Sequence, residues 1–169
     1  RDEGFWRDVA SRYDVEPGPV NFEYGYFGRM TRKVLRNYEE NLAYVNRSNS
    51  VYVRQQFDAV DSELIRQQVA ELVDAQPHEV AITRSASEGL QSLIRNYNAL
   101  RPGDQLLISD LDYMSVQTSM RWLAKTRDLE LIEIQHTHPA TYDAILDSYR
   151  LAFQNNPRLK LMALTHVTH

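Results

Sequence analysis

Hydrophobic residues in the second half of the chain follow two alternating patterns. Four short apolar runs predict strands, at residues 79–83, 106–108, 129–134 and 159–167. Apolar residues spaced at i, i+3, i+4 and i+7 predict helices between them, over residues 87–98, 115–127 and 143–154. Strand–helix units in this order are typical of a parallel sheet. The predicted fold class is therefore α/β, a doubly wound and mostly parallel sheet with helices on both faces.

The first part of the chain lacks this alternation. Residues 1–20 form an amphipathic lead-in, and helical spacing predicts helices over residues 30–44 and 61–73. Two segments carry no helix signal, namely the aromatic, glycine-containing residues 21–28 and the polar residues 46–54. We predict both to be loops that line a binding site. A buried turn for the former and a solvated connection for the latter are equally open.

One stretch, residues 79–91, joins a predicted strand, a turn and a helix start. Its small polar turn places Ser87 at the N-cap of the following helix, with Ser85 as a second candidate. Backbone N–H groups at a helix N-terminus have no intrahelical acceptor, and the positive end of the helix dipole lies behind them. This turn is therefore a candidate phosphate-binding site. An ordinary capped turn without a ligand is the commoner use of such a sequence.

Composition narrows the function classes. The chain has 169 residues and a formal net charge of -4, which gives no footprint for nucleic acid or an anionic membrane. No apolar run approaches the roughly 20 residues that span a bilayer. Because the chain has no cysteine, disulfides, thiolate catalysis and cysteine-based metal sites are excluded, and we predict no metal site. Arginines far outnumber lysines, which suits anion binding, although genomic base composition has the same effect.

Three segments, in this order and spacing, resemble those of fold-type I pyridoxal-phosphate (PLP) enzymes of the class V aminotransferase family. They are Thr-Arg-Ser-Ala-Ser-Glu at residues 83–88, Asp-Leu-Asp-Tyr at residues 110–113 and Leu-Thr-His-Val-Thr-His at residues 164–169. The last segment and Tyr113 are most similar to the isopenicillin N epimerase-like branch. The resemblance implies a PLP enzyme that acts at the α-carbon of an amino acid or a peptide amino terminus. It also implies a homodimer with active sites at the subunit interface.

The same resemblance implies which residues bind the cofactor. Ser85, Ala86 and Ser87 match the turn that holds the cofactor phosphate. Tyr113 matches the position, often His in the desulfurases, whose ring stacks on the pyridine ring. His169 matches a position near the phenolic oxygen of that ring. Since alternate strand residues point to opposite faces, we interpret the other histidine of this segment, at position 166, as a structural residue or one that supports a ligand-contacting residue.

Substrate-binding candidates come from the two predicted loops: Asn21, Tyr24 and Asn49. No catalytic residue is assigned, because the Schiff-base lysine of this family lies downstream of the segment that matches residues 164–169. The predicted organisation is a helical and loop segment over residues 1–60, then an incomplete PLP-binding large domain over residues 61–169. The chain is expected to end before that lysine and to be inactive alone.

Two other functions stay open at this point. One is a C–S lyase or cysteine desulfurase of the same fold, and the other is a non-catalytic α/β module that binds a phosphate. Within the epimerase-like branch, the chain resembles exported enzymes of pseudomonads that modify the glutamyl side chain of pyoverdine. The absent cysteines and the start at Arg1 rather than Met suit export. We therefore predict a periplasmic location, with the cytoplasm as the alternative, and no nucleic-acid or membrane partner.

Overall fold

A computed structural model describes residues 2–25 and 27–167. The chain divides into two compact units, Arg1–Ala81 and Ile82–His169, and each is described separately. The predicted division into a helical and loop segment (residues 1–60) and a PLP-binding large domain (residues 61–169) stays a prediction. Among the described residues, no helix is both long enough and apolar enough to cross a bilayer.

The first unit is helical. Its helices are α1 (Glu3–Ala10), α2 (Arg32–Tyr52) and α3 (Ser62–Leu72), with a π-helical stretch over Val53–Asp61 and a short 3-10 turn over Pro77–Glu79. The described residues between positions 21 and 28 contain no helix or strand, in agreement with the predicted loop.

The predicted loop over residues 46–54 is wrong, because α2 and the π-helical stretch run through it. This polar segment contains no glycine or proline that would end a helix. The backbone departs from helical geometry at Asn49, where φ is 38° and ψ is -126°. The Asn49 side-chain oxygen accepts the N–H of Ser50 at this kink. The positive φ interrupts the helical geometry at this residue, with ψ outside the left-handed helical region.

The second unit is built on a three-stranded parallel sheet. Its elements are α4 (Ala86–Asn96), β1 (Gln105–Ser109), α5 (Met114–Arg127), β2 (Glu130–Ile134), α6 (Tyr142–Asn155) and β3 (Leu159–Met162). The strand order is β2-β1-β3, with β1 in the centre. The three helices begin and end within two residues of their predicted bounds.

The central strand β1 carries the core of this unit. All five of its residues are buried, and successive side chains point to opposite faces of the sheet. Leu106 and Ile108 pack in a cluster with Leu123 of α5. Leu107 belongs to a second cluster with Ala152 of α6. Helices therefore cover both faces of the sheet, and the predicted fold class is confirmed.

The strand predicted at residues 79–83 is wrong. The 3-10 turn ends at Glu79, and residues 80–83 form no regular element. On either side of this segment, polar groups form hydrogen bonds with residues nearby in the chain. The Gln76 N–H donates to the Glu79 carboxylate at 2.9 Å, and the Thr83 hydroxyl donates to the Ser85 carbonyl at 3.0 Å. A strand exists only where a neighbouring strand pairs with it, and among the described residues none pairs with this segment.

The last predicted strand, residues 159–167, is too long. Regular pairing in β3 ends at Met162, although the Ala163 N–H still donates to the Leu107 carbonyl at 3.0 Å. Two residues later, the Thr165 N–H donates instead to the side chain of Asp112, at 2.9 Å. The chain leaves the sheet here because a carboxylate replaces the next backbone acceptor.

Candidate functional site

Helix α4 has its N-cap two residues earlier in the Ser-Ala-Ser sequence than expected. Ser85, the second candidate, is the N-cap: its backbone is extended and its hydroxyl accepts the Glu88 N–H at 3.2 Å. The first choice, Ser87, is therefore wrong as the cap. The Glu88 carboxylate in turn accepts the Arg84 N–H at 2.7 Å, which resembles a capping box. Because Ser85 caps the helix, the Ser87 hydroxyl is available for other contacts.

The N-termini of α4 and α5 meet at a pair of serines. Ser87 and Ser115 are the second residues of their helices, and their hydroxyl oxygens lie 3.1 Å apart. The first backbone N–H groups of each helix have no intrahelical acceptor, and both helix dipoles have their positive ends here. Two helix N-termini and two hydroxyls at one place suit an anion.

A cavity with a volume of about 550 Å³ lies beside these serines and is called the main cavity. One end is polar and the remaining wall is apolar, formed by α4, α5 and the end of β3. The polar end is formed by Ser87, Asp112, Tyr113, Ser115 and Thr165. A volume of this size falls in the range of small-molecule sites, roughly 300–1,000 Å³.

Tyr113 stands at the start of α5, on the rim of the main cavity. It is the N-cap residue, with extended backbone, and its carbonyl accepts the N–H groups of Val116 at 2.8 Å and Gln117 at 3.1 Å. These bonds fix the backbone of Tyr113 against the helix, while its side chain is half-exposed. The ring therefore offers an aromatic surface within the cavity.

Asp112, next to Tyr113, is buried and accepts three hydrogen bonds. One carboxylate oxygen accepts the Ser109 N–H at 2.7 Å, and the other accepts the Thr165 N–H and hydroxyl, each at 2.9 Å. Asp112 therefore ties the end of β1 to the segment that follows β3. These two strands are neighbours, so the carboxylate closes the carboxyl edge of the sheet.

A second cavity, of about 440 Å³, lies on the α6 side of the sheet. His136, which is buried, lines it and contacts the Ser148 hydroxyl through Nδ1 at 3.2 Å. That hydroxyl also donates to the Ile145 carbonyl at 2.7 Å, so it accepts from Nδ1–H. Nε2 of His136 has no hydrogen-bond partner among the described residues. His166 lines the second cavity rather than the main one.

An ion pair stands beside the Ser-Ala-Ser turn. The Arg84 guanidinium donates to the Glu88 carboxylate, with its closest contact at 2.8 Å. This hydrogen bonding lowers the pKa of Glu88 below its ordinary value and raises the pKa of Arg84. The Glu88 carboxylate is therefore paired with Arg84 in the first turn of α4.

The structure brings some of the predicted cofactor residues together. Ala86, Ser87 and Tyr113 line the main cavity, and Ser85 caps the helix that carries the first two. His169 lies outside the described residues, so its assignment stays a prediction. Sequence reasoning did not assign Ser115, although it occupies the same helix position as Ser87. It also missed Asp112 and Thr165, whose contact joins residues far apart in the chain.

The predicted substrate residues belong to the first unit and stay predictions. Asn21 accepts the Glu23 N–H at 2.7 Å through its side-chain oxygen, Tyr24 is 46% exposed, and Asn49 marks the kink of α2. No cluster of three acidic, histidine or cysteine side chains suited to a metal occurs within residues 2–25 and 27–167.

Comparison with known proteins adds to this geometry. The sequence pattern of the family "Aminotransferase class-V" matches residues 28–169. Cysteine desulfurases are similar, with 27% identity over 112 residues for the protein of Serratia proteamaculans and 29% over 110 residues for that of Dickeya dadantii. These matches cover 64% and 63% of this chain but only 27% and 26% of the relatives. The matched region thus spans about a quarter of their length.

Solved structures share the fold. A C-DES variant with glycine covalently linked to its PLP cofactor has a TM-score of 0.69 at 17% identity, covering 99% of this chain and 41% of that one. The cystine C-S lyase C-DES in complex with its product cysteine persulfide has a TM-score of 0.67 at 19% identity, covering 83% and 36%. At these identities the likeness concerns the fold.

Proposed function

This chain belongs to the aminotransferase class-V family, and from that membership we propose that it is the N-terminal part of a PLP-dependent enzyme. The enzyme acts at the α-carbon of an amino acid or of a peptide amino terminus. Class V aminotransferases use PLP, and the fold is that of PLP-bound structures. The whole protein's substrate and reaction are part of the proposal.

The main cavity is the observation that carries the proposal. PLP is a phosphate joined to a flat aromatic ring, and the cavity offers a matching part for each. Two helix N-termini with the Ser87 and Ser115 hydroxyls suit the phosphate, and the half-exposed ring of Tyr113 suits the aromatic ring. Most of the cavity wall is apolar. The residues present therefore fit the cofactor.

Each of these residues has a defined task. The N–H groups of Ala86 and Ser87 and the Ser87 hydroxyl bind the phosphate at the N-terminus of α4. Tyr113 stacks on the ring, a contact that contributes about 1 kcal/mol. When bound, PLP supplies an electron sink for charge that develops at the substrate α-carbon. The protein selects which bond breaks there.

No residue of this chain is assigned the role of the catalytic lysine. Lys33 in α2, Lys125 in α5 and Lys160 in β3 are exposed, and none of them lines the main cavity. An exposed lysine away from the cofactor site supplies neither the geometry nor the desolvation that an activated amine needs. The residues of the main cavity therefore bind and orient the cofactor without a catalytic lysine. The chain by itself is expected to be inactive.

Two narrower functions compete within this proposal. Cysteine desulfurase is favoured by the names of the similar proteins. A role in modifying the glutamyl side chain of pyoverdine, with a periplasmic location, is favoured by the resemblance of Tyr113 and of the last six residues to the epimerase-like branch. Imidazole exchanges a proton near neutral pH and phenol does not. A tyrosine at the stacking position thus supplies aromatic surface without the acid–base chemistry of a histidine.

The first experiment is PLP uptake by the full-length protein, with Ser87→Ala as the variant and Ser92→Ala, on the same helix but outside the main cavity, as the matched control. We expect a yellow protein that loses its colour on borohydride reduction, and weaker PLP binding in Ser87→Ala alone. A colourless full-length protein that takes up no PLP would refute the proposal. If that protein still bound inorganic phosphate, a non-catalytic phosphate-binding module would replace it.

A second experiment separates the narrower functions. Release of sulfide from L-cysteine by the PLP-loaded protein would favour a desulfurase, and modification of a glutamyl peptide without sulfide release would favour the pyoverdine-type role. A homodimer is also proposed, with Asn21, Tyr24 and Asn49 lining the shared site. If Asn49→Ala and Tyr24→Ala change neither PLP affinity nor turnover, those two assignments should be withdrawn.

A further inference from the structure

Asp112 holds together two segments that border the main cavity. Its neighbour Tyr113 lines this cavity, and so does its hydrogen-bond partner Thr165 in the segment after β3. Thr165 offers both of its donors, the N–H and the hydroxyl, to the same carboxylate oxygen. The position of the segment after β3 relative to Tyr113 is therefore set through one side chain.

The Asp112 carboxylate is suited to this task. It is only 4% exposed, so competition from water is small and each hydrogen bond to the charged oxygens is strong. It lies just before the N-terminus of α5, where the helix dipole favours a negative charge. Its third bond, from the Ser109 N–H, anchors the carboxylate to the last residue of β1. The carboxylate is thus held in place by the sheet.

Backbone groups of Asp112 also hold this turn. The Asp112 N–H donates to the Ser109 carbonyl at 3.2 Å, and the Gln117 side chain donates to the Asp112 carbonyl at 2.7 Å. These bonds use backbone groups of Asp112 and stay in place when its side chain is changed. The carboxylate adds the bond from the Ser109 N–H and the link to Thr165.

We propose that Asp112 is a positioning residue of the cofactor site, which holds Tyr113 and the Thr165 segment in one fixed arrangement. This rests on the proposed function, since it assumes that the Tyr113 ring stacks on PLP. Asp112 does not touch the cofactor in this role. It acts through Tyr113, so its effect is on the ring of the cofactor and not on the phosphate.

The main test is Asp112→Asn in the full-length protein. The amide has nearly the same shape, but it replaces one acceptor oxygen by a donor, so either the Ser109 bond or the Thr165 bonds are lost. We expect the dissociation constant of PLP to rise about three- to tenfold, the size of one aromatic stacking contact. Inorganic phosphate, measured as a competitor, should bind as in the wild type. Equal weakening of PLP and phosphate would show a merely structural role and overturn the proposal.

A double-mutant cycle tests the route of the effect. In a Tyr113→Ala background, Asp112→Asn should weaken PLP binding much less than in the wild type, because the ring that it positions is gone. The same fold-change in both backgrounds would overturn the proposal. The visible circular dichroism of bound PLP gives a second readout, which should change with Asp112→Asn if the ring orientation changes.

Thr165 variants keep the test valid if Asp112→Asn does not fold. Thr165→Val removes the hydroxyl and should weaken PLP binding at least about twofold, as expected for one hydrogen bond. Thr165→Ser keeps the hydroxyl and should bind PLP as the wild type does. Equal affinities of these two variants would contradict the proposal. A wild-type protein that takes up no PLP would refute the proposed function as well, whereas PLP binding that is insensitive to all these changes refutes only the role of Asp112.

Discussion

The first and second units of the chain differ in what their apolar side chains contact. In the second unit, β1 is enclosed by two hydrophobic clusters. In the first unit, Ala70 is the only described residue that is buried. The apolar face of α2 is exposed: Val34, Leu35, Tyr38 and Leu42, which lie at helical spacing, are 52%, 41%, 56% and 58% exposed. Both units have amphipathic patterns, but only in the second unit do the apolar faces pack together into a hydrophobic core.

This difference shows what hydrophobic periodicity does and does not report. Spacing identifies the apolar face of a helix, and it says nothing about which surface covers that face. Most of the stability of a helix in a protein comes from packing of such a face. We therefore expect substitutions in the second unit to change the free energy of unfolding far more than equivalent substitutions in the first.

The largest effect is expected for Leu106→Ala. Leu106 is fully buried in the centre of the sheet, so the substitution removes apolar contacts and leaves a cavity, at a cost of about 2–5 kcal/mol. The free energy of unfolding from a denaturant titration measures this. Leu72→Ala in α3 is the control, because Leu72 is 85% exposed. Equal losses for the two variants would remove the contrast between the units.

Helix caps give a medium-sized comparison. Ser85→Ala removes the hydroxyl that accepts the Glu88 N–H, and a loss of about 1 kcal/mol is expected. Thr31 caps α2 in the same way, accepting the Val34 N–H at 3.3 Å. Thr31→Ala should cost less, because little packing is lost when the start of α2 frays. Hydrogen exchange of the first turn of each helix is the measurement, and a larger change in α2 would contradict the comparison.

A pH-dependent contribution is expected from Glu133 on β2. Arg121 of α5 donates two hydrogen bonds to its carboxylate, at 3.0 Å and 2.9 Å, and these lower the pKa of Glu133. A carboxylate with a lowered folded-state pKa stabilises the fold above its unfolded pKa, and this stabilisation is lost as the pH falls through the folded value. For this half-exposed pair the loss is about 0.2–1 kcal/mol. It should occur below about pH 4.3.

Glu133→Gln tests this contribution. The variant should flatten the acid limb of the stability curve, measured by thermal unfolding between neutral and acid pH. The matched control is Asp8→Asn in α1, whose partner Arg12 lies at 2.5 Å but with both side chains about 60% exposed. If the two variants lose stability equally at acid pH, the Arg121–Glu133 pair contributes no more to stability than the exposed pair in α1.

The smallest effect is expected for Leu42→Ala. Leu42 lies on the uncovered face of α2, and a substitution at such a position changes the free energy of unfolding by no more than about 0.5 kcal/mol. The same substitution in full-length protein should be compared with this chain. A loss above about 2 kcal/mol there would show that the face is covered in the full-length protein and would break the contrast drawn above.

The successes and failures of sequence-based prediction follow from the range of the interactions involved. The strand around Leu107 was recognisable because strands buried on both faces are continuously apolar. The strand around Ile132 was recognisable because its apolar residues alternate with glutamates. The helices were recognisable from local spacing. Residues 79–83 looked equally apolar, but a strand needs a partner strand, and no local pattern reports one. The polar segment around Asn49 was predicted as a loop from its composition. It continues as a helix with a kink, which its composition does not indicate.

The candidate site shows the same limit. Ser87 could be assigned because it follows an apolar run at the start of a helix, and Tyr113 was assigned from the resemblance to the class V family. Ser85 and Ser87 are both good caps, and only the backbone geometry decides between them. Asp112 and Thr165 are 53 residues apart, and nothing in either sequence neighbourhood indicates that they bond. Contacts of that kind become visible only when the fold is known.

The link between Asp112 and Thr165 has a consequence for the order of folding. Pairing of β1 with β2 joins residues 25 apart, as in the bond from Gln105 to Glu130, whereas the Asp112–Thr165 link spans about twice that distance. Each doubling of a closing loop costs about 0.6 kcal/mol more in chain entropy. We therefore expect β1, α5 and β2 to assemble first and β3 to dock later. The Asp112 carboxylate then binds Thr165 late in folding, so the wall of the main cavity is completed among the final steps.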